Sequence, residues 1–217
     1  MKIRKINIIR AGTIMLVITS LFFAVPISFA SETISVPFTS QAPSGNWAEP
    51  WQNFCEEASV VMTAHFLWGV PLTLKFAEME MQIIKQYEEI VFKKYDDTSA
   101  DETASILKNL YGFKFVQTRH VVAISDIKEE LLRGNIVLVP AAGRLLHNPY
   151  FVPPGPLYHM IIVRGFDDNN HTFITNDPGT RHGNGFVYNQ DILMHAIHDW
   201  NGGDVMHGEK MMIVVGK

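Results

Sequence analysis

Apolar and polar positions alternate with two different periods along this chain, and the two periods occupy different halves of it. Thr33–Phe38 alternates and predicts a short strand. Residues 41–54, rich in Gln, Pro, Gly, Asn and Trp, predict an irregular loop. A helix is expected from Cys55, because Glu56 and Glu57 suit a first turn against the helix dipole. Ala58, Val60, Val61, Met62, Ala64, Phe66 and Leu67 make it apolar nearly all round, so it should be a buried central helix ended by Gly69-Val70-Pro71. Leu74–Glu89 has helical spacing, and Ser99 or Asp101 can cap a third helix that runs to about Leu110, with Gly112 as its stop. Phe113–Thr118 predicts a strand, Ser125–Arg133 a helix closed by Gly134, and Ile136–Pro140 a buried strand. After a Pro/Gly-rich loop at 141–157, Leu157–Phe166 and Thr172–Asn176 predict a hairpin across Asp167-Asp168-Asn169-Asn170. Phe186–Tyr188, a short helix at Asp191–His198 and a closing strand at Met211–Val215 complete the pattern. Helices first and strands second give an α+β class, not an alternating βαβ one.

The first thirty residues stand apart. Lys2, Arg4, Lys5 and Arg10 form a basic head, Ala11–Val25 an apolar run, and Ser28-Phe29-Ala30 a small-residue exit. That order predicts an export signal peptide over 1–30. The alternative is an uncleaved membrane anchor, for which a run of about fifteen residues is short of the roughly 20 needed to span. Residues 31–217 are then one domain, secreted or at the cell surface, with membrane association only through the N-terminal segment. Hydrophobic residues are 47% and charged residues 18% of the 217, enough for a real core and too few charges for disorder. Four of the 18 bases lie in the head, leaving 14 against 22 acids in the body. Such an acidic body excludes nucleic acid as a partner, since phosphate binding needs clustered Lys and Arg.

Export also changes the meaning of the lone cysteine, Cys55. An unpaired thiol in an oxidising compartment is a liability unless it is buried or used. At the start of a helix, free N–H groups and the dipole favour a thiolate, a nucleophile for acyl transfer. It needs an imidazole to exchange its proton and a carboxylate or amide to orient that ring. Of nine histidines, His159 opens an otherwise apolar strand, where a polar ring is costly unless paired. Asp177 closes the return strand. If the hairpin centres on Asn169, residues 161 and 177 face each other and His159 and Asp177 share a face. A one-residue slip would separate them.

The blocks Trp51-Gln52-Asn53-Phe54-Cys55-Glu56-Glu57-Ala58-Ser59, Tyr158-His159 leading into Val163-Arg164-Gly165-Phe166-Asp167, and Asn176-Asp177-Pro178-Gly179 resemble the C39-like peptidases, of papain-like fold. The resemblance covers roughly Val36 to Val215. It implies a helical half whose central helix carries the nucleophile, packed on a C-terminal antiparallel sheet. It also implies a triad of Cys55, His159 and Asp177, an upstream Gln that donates to the oxyanion, a peptide or protein substrate, and no cofactor. Gln41, which follows a strand, is the preferred Gln, and Gln52 lies too close to Cys55 to turn back comfortably. Better-known members have Gly after the cysteine, where this chain has Glu56. Glu56 and Glu57 both oppose thiolate formation, which a protonated His159 would offset.

Trp47 and Trp51 precede the nucleophile closely enough to line a groove, and Tyr158 stands beside His159, so these three are the candidate substrate contacts. His195-x-x-His198 with His207 has zinc-like spacing, but no carboxylate pattern completes it, and no metal is expected. The residues point to an exported cysteine hydrolase, foremost a peptidase. The rivals are an amidase or acyltransferase with the same triad, and a non-catalytic module that binds peptides or cell-wall material. The sequence leaves the oligomeric state open.

Overall fold

The computed structural model describes residues 30–217. The expected leader therefore lies outside the described residues, apart from Ala30. Among the described residues no helix is long and apolar enough to cross a membrane.

Among the described residues, five α-helices and seven strands follow the expected order. After β1 (Ser31–Thr33) and a single 3-10 turn (Trp51–Asn53), α1 spans Cys55–Trp68, and every residue from Cys55 to His65 is buried. Gly69 closes it in the left-handed conformation at φ 68°, a position that favours glycine. The next helix, α2 (Leu74–Val91), is capped by the Thr73 side chain. In α3 (Ala100–Asn109), Ser99 and Glu102 form a reciprocal capping box. The remaining elements are β2 (Val116–His120), α4 (Ile124–Leu132), β3 (Ile136–Ala142), β4 (Tyr158–Asp167), β5 (Thr172–Asn176), β6 (Asn184–Asn189), α5 (Gln190–Ala196) and β7 (Met211–Val215).

The strands form one antiparallel sheet in the order β2-β7-β3-β4-β5-β6, with β1 on the outer end of β4. Both faces are covered, which is why β3 and β4 read as continuous apolar runs and not as alternating ones. Leu138, Met160, Ile162 and Ile213 pack under α1 with Val60, Val61 and Met62. On the other face, Val139, Ile161, Val163 and Phe173 pack with Ile127, Leu131 and Leu193 from α4 and α5.

Several strand boundaries differ from the sequence reading. The strand expected at Thr33–Phe38 is only Ser31–Thr33. Pro37 has no N–H for a ladder, and the side chain of Asn176 serves the carbonyls of Val36 and Pro37 instead (3.2 and 3.1 Å). The strand expected from Phe113 begins at Val116, because the Phe113 N–H turns back to Leu107 and finishes α3. Strand β3 continues through Pro140 to Ala142, which is possible because its pairing with β7 ends at Leu138.

One irregularity decides the site. Near the turn Gly165 faces Ile174, but past it Val163 faces Thr175 and Ile162 faces Asn176, so Arg164 is an extra residue on β4. Without this bulge Asp177 would fall opposite Ile162. With it, Asp177 continues opposite Ile161, on the face of His159. Arg164 spans the distortion itself, donating to Asn176 Oδ1 (2.9 Å) and the Ile34 carbonyl (3.1 Å).

Candidate active site

His159 is the second residue of β4 and is 1% exposed, and Asp177 follows β5 and is wholly buried. The imidazole Nε2 lies 2.7 Å from Asp177 Oδ1. That carboxylate accepts three further bonds, from the Gly179 N–H (2.9 Å), the Tyr188 hydroxyl (2.5 Å) and the Asn148 amide (2.9 Å). Burial alone would raise the Asp177 carboxyl. The charge of His159, with the bonds from His159, Tyr188 and Gly179, outweighs that and holds it below the ordinary carboxylate range. Phe151 meets the imidazole edge-on at 5.3 Å between ring centres. A Cβ on Gly179 would stand 2.7 Å from His159 Cε1, so only glycine leaves room for this ring. With Nε2 committed to Asp177, Nδ1 is the nitrogen left to exchange protons.

Cys55 is the first residue of α1, where the backbone N–H has no partner within the helix. Its thiol donates to Glu56 Oε2 (2.9 Å) and not to the imidazole. Burial first, then the charge and hydrogen bond of Glu56, and then the charges of Glu57 and Asp97, push the thiol well above its ordinary value. The helix-end effect expected from the sequence is thus overridden in this state, because a carboxylate adjacent in sequence is also adjacent in space.

Two bridges join the Cys55 end of α1 to the His159 end of the sheet. In one, the Gln41 N–H donates to the Pro178 carbonyl (2.9 Å), while its side-chain amide donates to the carbonyls of Trp51 (3.1 Å) and Gln52 (2.6 Å). Gln41 therefore spans from the Asp177-Pro178-Gly179 turn to the residues leading into Cys55. Both of its amide protons are occupied, and its buried Oε1 has no partner. Gln52 turns the other way, donating its amide to Glu49 on the surface. In the second bridge the backbone of Thr98 is held on both sides of its Cα. Its N–H donates to Glu56 Oε1 (3.0 Å), and its carbonyl accepts from the Tyr158 hydroxyl (2.9 Å).

Tyr158 is therefore 3% exposed and serves this bridge, which corrects its expected place on the substrate side. Strand alternation turns it toward α1 while its neighbour His159 turns away. Trp51 is half-buried, edge-on to Phe54 at 5.2 Å and packed on the core. Trp47 is half-buried in the preceding loop. His198 Nδ1 is engaged with the Gly208 carbonyl and His207 with Asp204. Among the described residues no three His, Cys, Asp or Glu are arranged to hold a metal. Asn148, Tyr188 and Gly179 were not singled out from sequence. Only the Asp-Pro-Gly turn gave a local signal for the last of them.

No curated protein matches this chain in sequence. Among solved structures, one from Bacillus anthracis described as a candidate C39-like peptidase superposes with a TM-score of 0.57. The two share 12% identity over 86% of this chain and 98% of that one, so the likeness is one of fold: a papain-like α+β arrangement of helix and antiparallel sheet. The family model for Peptidase_C39 like proteins matches residues 33–202. That span holds α1 with Cys55 at its head, the His159 strand and the Asp177 turn, and the chain belongs to the Peptidase_C39 like family.

Proposed function

We propose that the protein is a cysteine peptidase that acts outside the cell membrane through Cys55, His159 and Asp177. The observation that carries this reading is the buried His159–Asp177 pair. One ring nitrogen is fixed by a carboxylate that accepts four bonds, and the other is left for proton exchange. A core histidine with no task needs no such support.

In the reaction, the Cys55 proton passes to His159 Nδ1 and the sulfur attacks the peptide carbonyl. The oxyanion faces the unpartnered Cys55 N–H at the start of α1. Gln41 joins it by releasing one of the two carbonyls it now serves; until then it holds the approach to α1. As the C–N bond breaks, His159 returns the proton to the leaving amine. Water then attacks the thioester, His159 takes its proton, and the acid and the thiol are released. An amidase or acyltransferase would use the same steps with a different acyl donor or acceptor.

One observation favours a second reading, a peptide-binding module with an idle thiol: Cys55 donates to Glu56 in this state. The two separate by acyl transfer. The full chain, mixed with an activated acyl ester and followed by mass spectrometry, should gain an acyl group on Cys55. His159→Ala should slow that step by about 10²-fold or more. Acylation at the same rate with and without the imidazole would leave the binding module.

A further inference from the structure

Of the buried carboxylates that the mechanism leaves unused, one touches the nucleophile. Glu56 is 1% exposed and uses both oxygens, accepting the Cys55 thiol at Oε2 (2.9 Å) and the Thr98 N–H at Oε1 (3.0 Å). The Thr98 carbonyl is in turn held by Tyr158, the residue before His159 (2.9 Å). A chain of contacts thus runs from the sulfur through Glu56 and the backbone of Thr98 to the strand of the general base.

We propose that Glu56 is a positioning residue that latches the nucleophile: its carboxylate holds the thiol protonated and aimed at the α2–α3 loop, and Cys55 reaches His159 only when that hold is released. This rests on the peptidase reading and adds a resting state to it. The geometry gives the latch its direction. The carboxylate cannot swing after the sulfur, because its other oxygen is fixed to main chain that is itself fixed to β4. The carboxylates around it are Glu57 on the same helix, Glu88 on α2 and Asp97 on the connecting loop; Lys94 on that loop offsets Glu88 and Asp97, and Tyr158 faces it from the sheet. Burial and the charge of Asp97 push Glu56 up to about 7, so the carboxylate that holds the thiol is close to taking a proton at neutrality. Release leaves the proton count unchanged: the sulfur's proton goes to His159, and Glu56 keeps its bond to Thr98.

The test is the alkylation rate of Cys55 against pH in the full chain, where this cysteine is the only one. Glu56→Gln keeps an acceptor for Thr98 and turns an N–H donor toward the sulfur. Its alkylation midpoint should fall by at least one pH unit, about a tenfold gain in thiolate near neutrality. Glu57→Gln removes a neighbouring carboxyl without touching the thiol and should shift the midpoint much less. An unchanged or higher midpoint in Glu56→Gln, or equal shifts in both variants, overturns the latch. If Glu56→Gln does not fold, Glu56→Asp answers the question. It keeps the charge but is one methylene too short to reach both partners, so the latch requires a lower midpoint and a pure charge effect requires the same one. His159→Ala, alone and combined with Glu56→Gln, separates the two proposals. A midpoint that falls with Glu56→Gln but ignores His159 keeps the latch and removes the peptidase. A parent midpoint that is already low and depends on His159 keeps the peptidase and removes the latch.

Discussion

Gly179→Ala offers a sharp test of how tightly the imidazole is held. The added methyl would lie 2.7 Å from His159 Cε1, 3.0 Å from its Nε2 and 2.9 Å from Phe151 Cε1, where ordinary contact starts at 3.4 Å. The ring would have to retreat by the difference, about 0.7 Å. It has little freedom to do so, with Nε2 2.7 Å from Asp177 and Phe151 against its edge. Overpacking of this kind costs about 1–3 kcal/mol, which for a chain of this size lowers the melting temperature by about 2–12 °C. A displacement approaching 1 Å at the general base should slow acylation of Cys55 by up to about 10²-fold. Thermal unfolding by circular dichroism and the acylation rate, measured on the same sample, read the two effects. Gly69→Ala is the control. Its backbone is strained at φ +68° but nothing lies within 4 Å of the new Cβ, so it should lose stability and keep its acylation rate. If Gly179→Ala acylates within twofold of the parent, the ring is free to move, and the argument that Asp177 and Gly179 fix it fails.

Other predictions follow from the buried carboxylates. Tyr188→Phe removes a hydroxyl bonded to Asp177 and should cost about 1.5–3 kcal/mol in urea unfolding. A loss under 0.5 kcal/mol would show the hydroxyl to be dispensable. Glu56, Glu57 and Glu88 are all raised above the ordinary carboxyl range, mainly by burial, so the folded state holds protons that the unfolded chain gives up. Stability from this cluster is therefore present below the ordinary glutamate value, near pH 4.3, and declines as pH rises through neutrality. Urea unfolding should give a lower free energy at pH 8 than at pH 5, and Glu57→Gln should narrow the gap; stability that is flat or rises over that interval contradicts the assignment. The depressed Asp177 acts with the opposite sign, since its contribution is complete above the ordinary aspartate value and is lost as pH falls through its own. Acid unfolding of Asp177→Asn should lack that component, and an acid limb identical to the parent's would refute it.

The local signals were legible where they act locally. Gly69 and the Ser99–Glu102 pair mark helix ends because each satisfies main-chain groups within a few residues. Cys55 at the head of α1 and the hairpin linking His159 to Asp177 were readable for the same reason. The assumed hairpin centre put His159 and Asp177 on one face, but through an undistorted ladder, whereas the chain reaches that register through the bulge at Arg164. Gly165 is the one local mark of the irregularity, and its compensation comes from Asn176 and from Ile34 at the far end of the chain. Asn148 and Tyr188 were hidden, since their roles exist only once distant segments close around Asp177. Tyr158 was misplaced because adjacency in a strand was read as adjacency in space, whereas neighbours in a strand point to opposite faces. The opposition of Glu56 to a thiolate was readable as charge; its hydrogen bond to the sulfur was not.

Thr98 joins the two halves of the site through its backbone, with Glu56 on the nitrogen and Tyr158 on the oxygen. A link made of main-chain atoms is specified by how many residues lead up to it, and hardly by which residues they are. Scanning residues 91–99 with alanine would leave those two atoms where they are, whereas adding or removing one residue there would present a different residue's backbone to both partners. The reach of the loop is thus a length-coded element of the site, and libraries that vary loop length are the way to map it.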